Sequence, residues 1–138
     1  MTTWIVWFQD RASKDLDAEP MTDLYLMYKA EQSETKKHRF IRQLSIASFR
    51  VICFRLSQIK AMGKLRKLQK GNLVGHLDAT GGLVNAFPEE IEGSTQIYSY
   101  VISIRSPAKG APLTVLEFIL NQHDSQTIRQ CLEYFESE

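Results

Sequence analysis

The chain has 138 residues, 43% of them hydrophobic, 24% charged and 10% aromatic, with a formal net charge of +1. This is the length of one domain and the composition of a globular one, which excludes wholesale disorder; the apolar run Ile5–Phe8 is too short for a membrane span and lacks the positive lead of a signal peptide. The near-zero charge averages three unlike regions: three Lys/Arg against seven acids in residues 1–35, eleven against none in 36–70, and three against nine in 71–138.

Taken in chain order, the opening through Pro20 mixes Trp4, Trp7 and Phe8 with a polar run from Asp10 to Glu19 and reads as a leader without a defined element. Residues 22–34, with Thr22 and Asp23 as caps and Leu24, Leu26, Met27 and Tyr28 following, read as a short helix. The expected organisation is therefore a poorly defined leader with one helix over 1–45 and a domain over 46–138.

The β-branched and aromatic run Phe49, Val51, Ile52, Cys53, Phe54 predicts a strand. Ser57 is the expected N-cap of a helix that buries Ile59, Met62, Leu65 and Leu68, turns Lys60, Lys64, Lys67 and Gln69 elsewhere, and ends at Gly71 and Asn72. A strand over Leu73–Asp78 and a loop from Thr80 to Ser94 precede the apolar IYSYVISI (97–104), whose two apolar faces predict a central strand. A turn-rich connection through Pro107, Gly110 and Pro112 leads to a third strand, LTVLEFIL (113–120). Ile128, Cys131, Leu132 and Phe135 share one face of a closing helix capped by Asp124 or Ser125. Cys53 and Cys131 match no zinc spacing or disulfide framework and read as core thiols of an intracellular protein.

A 35-residue block without one carboxylate is what a phosphate-facing surface needs, and it also suits a solvated helix face that pairs with the acidic flanks. Asp78 ends a short apolar run before Gly81 and Gly82; a carboxylate there serves a turn, or a divalent metal if the glycines leave room for an ion and a phosphate. No GxGxxG, GxxxxGK[ST], HExxH or GxSxG pattern is present, so nucleotide-loop, zincin and nucleophile-elbow chemistry have no motif to stand on. Glu117, alone in an apolar strand, reads as edge-facing or paired with Arg105 before it reads as a second ligand, and His123–Asp124 reads as a helix entry.

HLDATGG (76–82), IYSYVISI, APLTVLEFI (111–119) and Asn121–Asp124 opening a helix together resemble the start of the catalytic core in DDE/D transposases of the Mutator-like and Kolobok-like kind. FRVICF (49–54) and SQIKAMGKLRKL (57–68) are similar to the strand and helix that lead into that core, so the resemblance covers about residues 46–138. It implies an α/β (α+β) chain with a partial ribonuclease H-like fold: three antiparallel strands followed by a helix, behind a strand-helix lead. It further implies that Asp78 is the first of three catalytic, metal-binding carboxylates, holding Mg2+ for in-line attack on a DNA phosphodiester. The other two carboxylates of the family would lie beyond Glu138, so the chain is expected to be an inactive amino-terminal fragment.

The resulting expectation is a truncated transposase domain that binds DNA through Lys36, Lys37, Arg39, Arg42, Lys60, Lys64, Arg66, Lys67 and Lys70, lies in the nucleus rather than the cytoplasm, has no membrane partner, and self-associates through an incomplete sheet. The alternative is a non-enzymatic interaction domain whose basic helix binds an acidic protein partner.

Overall fold

The computed structural model describes residues 20–45, 49–81, 97–105 and 112–138. The expectations for the aromatic cluster of the opening segment, the 82–94 stretch with Gly82, and the 106–111 connection lie outside the described residues. Within them, α1 (Pro20–Ser33) starts at a proline, whose fixed φ and missing N–H suit a first helical position. It is followed by β1 (Ile41–Ser45), β2 (Arg50–Cys53), α2 (Leu56–Leu68), β3 (Gly75–Gly81), β4 (Tyr98–Ile104), β5 (Leu113–Leu120) and α3 (Ser125–Glu136). No helix among the described residues is long and apolar enough to cross a membrane.

The strands form one five-stranded sheet in the order β1-β2-β5-β4-β3, every neighbouring pair antiparallel. The chain is thus a mixed α/β fold on an antiparallel sheet. Side-chain alternation splits the core between its two faces. On one face α1 brings Leu24, Met27 and Tyr28 against Ile41, Val51, Cys53 and Ile119. On the other, α2 supplies Ile59, Met62 and Leu65, and α3 supplies Ile128, Cys131 and Phe135, against Ile52, Phe54, Tyr100, Phe118 and Leu120. Tyr100 and Phe118 stack at 4.9 Å across β4 and β5, and Phe135 meets Phe54 edge-on at 5.2 Å. Both cysteines are buried and free, as their composition predicts. Burial pushes both thiols up, Cys131 to about 11.

β4 has neighbours on both sides, in accord with its apolar sequence, whereas β3 lies at the edge. β3 also starts and ends later than its apolar run implies: Leu73 turns inward onto the core, and Ala79, Thr80 and Gly81 pair with Tyr100, Ser99 and Tyr98. Glu117 does not face an edge. It is 4% exposed in β5, opposite Cys53 on one side and Val101 on the other.

Two helix ends also differ from expectation. α2 begins after Arg55 rather than at Ser57, because the Gln58 side chain accepts the Arg55 N–H at 2.6 Å while its amide donates to Thr114 O on β5. Leu68 is 75% exposed instead of packed. A three-residue spacing falls behind the helical repeat by about 60° at each step. After Ile59, Met62 and Leu65 the inward place therefore passes to Gln69, which bonds Arg105 O.

Candidate nucleic-acid interface

Because Ile59, Met62 and Leu65 hold α2 on the sheet, Lys60, Lys64 and Lys67, at i, i+4 and i+7, fall on its outward face, and all three are exposed. Like charges at these spacings repel and stabilise nothing in the helix itself. Arg66 and Lys67 in the last turn face the negative end of the helix dipole, which accounts for charge there but not for Lys60 or Lys64.

At the other end of α2 the stripe runs into a cavity of about 260 Å3 lined by Lys37, His38, Arg55, Leu56, Ser57 and Lys60. The chain between α1 and β1 contributes the first two residues and the start of α2 the rest, so cationic groups distant in sequence converge without a carboxylate in the lining. Arg55 is steadied by the Phe40 ring, 5.4 Å from its guanidinium carbon.

The remaining candidate basic residues are placed otherwise. Lys36 pairs with Glu138 at 3.0 Å on the surface. Arg39 donates to Gln32 O at 2.9 Å and Glu34 O at 3.0 Å, closing the end of α1. Arg42 is 9% exposed, donates through Nε to Phe54 O at 3.0 Å and lies 5.0 Å over the Phe54 ring. Lys70 is exposed but sits in a left-handed turn after α2, with φ 52°.

Asp78 is exposed on β3. The register places it in line with Val101 and then Glu117, so the two carboxylates share a sheet face two strand spacings apart, about 10 Å at the backbone. Among the described residues no three His, Cys, Asp or Glu side chains converge to hold a metal ion. The described residues alone therefore do not supply the several carboxylates that a two-magnesium centre draws together. Gly81 lies on the opposite face of β3 from Asp78, where a Cβ would come within 2.9 Å of the Tyr98 ring.

Sequence reasoning missed a polar cluster at the β5–α3 junction. His123 stacks on Tyr98 at 4.8 Å, and its Nδ1 is hydrogen-bonded to the Tyr100 hydroxyl. Beside it lies an open cavity of about 520 Å3 lined by Asn121, Gln122, Asp124 and Thr127 among others. Its only sequence signal is the polar run after β5, which reads equally as a helix entry. Asp124 does serve that entry: it accepts Thr127 N–H at 2.8 Å, and this bond holds its carboxyl below the usual range.

Fold and surface together define a mixed α/β protein with one basic helix face and a cationic cavity at its end. No protein-family model, curated protein or solved structure matches the chain.

Proposed function

We propose that the chain binds nucleic acid through the outward face of α2, as the opening part of a DDE/D transposase core that does not cut DNA by itself. The carrying observation is the continuity of Lys60, Lys64 and Lys67 with the cavity of Lys37, His38, Arg55 and Ser57, a phosphate-facing strip that no carboxylate interrupts. The transposase part rests on the resemblance around Asp78, and the antiparallel run β3-β4-β5 followed by α3 supports it. In a complete enzyme Asp78 would be one ligand for Mg2+; here its role is that of an exposed strand residue.

The test is duplex-DNA affinity by fluorescence anisotropy across a salt series. Five cationic contacts give a slope of log affinity against log salt of about −4.5. Lys60→Glu/Lys64→Glu/Lys67→Glu should remove most of that slope while the thermal unfolding midpoint stays within a few degrees. Salt-independent binding, or none at low salt, would sink the proposal.

One observation favours a second reading, in which the same face meets an acidic protein. Lys36 already pairs with Glu138, so the basic block does engage carboxylates of its own chain. Under that reading the triple substitution destabilises the fold and has no DNA affinity to remove.

A further inference from the structure

All seven residues of β3 are exposed, and among the described residues no strand pairs with its outer side. Edge strands are ordinarily blunted by lysine, proline, a bulge or extreme shortness. β3 has none of these. Its sequence is GHLDATG, and its ladder with β4 runs from Gly75 to Gly81 without an irregularity. Val74, just before it, and Leu77, within it, are 65% and 51% exposed.

We infer that this edge is the docking surface for a second copy of the chain, β3 pairing antiparallel with β3 about a two-fold axis centred on Leu77. The register is chosen by charge. A two-fold pairing that keeps each side chain on its own face must centre on a residue. Centred on Asp78 it sets carboxylate against carboxylate, and centred on His76 it sets imidazole against imidazole. Centred on Leu77 it places His76 opposite the second copy's Asp78, and Asp78 opposite the second copy's His76, on one face. On the other face Leu77 meets Leu77, while Val74 lies opposite Thr80 at the rim of the His76–Asp78 face.

The interface is isologous and closes at two copies, with the edge at β1 left out of it. The product is a ten-stranded sheet. Leu77 pairs with Ile102 on the face that carries α2, so both copies of α2 lie on one side of that sheet. Two basic stripes then face the same way.

Sedimentation velocity on the full chain without DNA tests the inference independently of the nucleic-acid proposal. The expected result is a concentration-dependent monomer–dimer equilibrium with no larger species. Leu77→Lys should weaken the dimer by about tenfold or more while leaving the unfolding midpoint of dilute protein unchanged. Asp78→His should also weaken it, and adding His76→Asp to that variant should restore it, since the exchange recreates both cross-strand pairs. Leu77→Cys should give a disulfide-linked dimer under mild oxidation, and Thr80→Cys should not, because only position 77 meets itself. A monomer at every concentration, a dimer indifferent to Leu77→Lys, or failure of the charge exchange to rescue would overturn the inference.

Discussion

Arg42 and Lys60 come from the same carboxylate-free block, yet the fold sends them in opposite directions. Lys60 is exposed on α2, whereas Arg42 bonds Phe54 O and covers the Phe54 ring. Removing a buried charged donor from a carbonyl costs about 2 kcal/mol. Arg42→Ala should therefore lower stability by about that much in urea denaturation, and at temperatures where it is folded it should bind duplex DNA within about twofold of wild type with an unchanged salt slope. Loss of affinity on the scale of the α2 lysines would instead place Arg42 at the interface. Asp124 offers a pH test. Its carboxyl is held low, mainly by the Thr127 N–H, so its stabilisation is fully present above the unfolded carboxylate value and is lost as pH falls through the lower folded value. Asp124→Asn keeps an acceptor but cannot titrate. The difference in melting temperature between wild type and this variant should be constant from neutral to mildly acid pH and shrink below about pH 4; a constant difference throughout would refute the assignment.

β1 was illegible in the sequence for a reason that the ladder makes plain. Ile41 opposes Cys53 and Leu44 opposes Val51, so both face α1 although they are three apart. The irregularity between Ile41 and Gln43 inserts Arg42 and breaks the two-residue period by which strands are recognised. β2, β4 and β5, by contrast, carry dense β-branched and aromatic runs, and α3 keeps its apolar face in phase with the helical repeat. The end of α2 was legible from Gly71, but its geometry was not. Gly71 N–H bonds Arg66 O at 2.9 Å and Lys70 N–H bonds Lys67 O at 3.2 Å, so the left-handed turn falls on Lys70 as well as on Gly71, with φ 52° and 86°. A lysine there carries backbone strain that glycine avoids. Lys70→Gly should stabilise the protein by about 0.5–1 kcal/mol, and Gly71→Ala should destabilise it by about 1 kcal/mol. Chemical denaturation of the two variants checks the pair, and equal destabilisation by both would contradict the turn.

Across the whole molecule, the basic face was readable because composition and helical spacing are properties of sequence. The cavity at its end was not, because Lys37 and His38 meet Arg55 and Ser57 only after β1 pairs with β2 and brings the two segments together. Asp78 shows the converse. Its sequence context points to a metal ligand, but a ligand set is a property of assembly: in register Asp78 shares a row with Glu117 across Val101, and among the described residues no third ligand joins them. An exposed strand residue without a bound partner contributes little to stability, within about 0.5 kcal/mol. Asp78→Asn should accordingly leave the melting temperature of dilute protein and its affinity for duplex DNA unchanged. Magnesium at millimolar concentration should shift the melting temperature of wild type and variant alike, since any effect comes from general screening rather than from coordination. A stabilisation by magnesium present in wild type and absent in Asp78→Asn, or a DNA-cleaving activity lost on that substitution, would mean that carboxylates elsewhere in the chain close on Asp78 and complete a site.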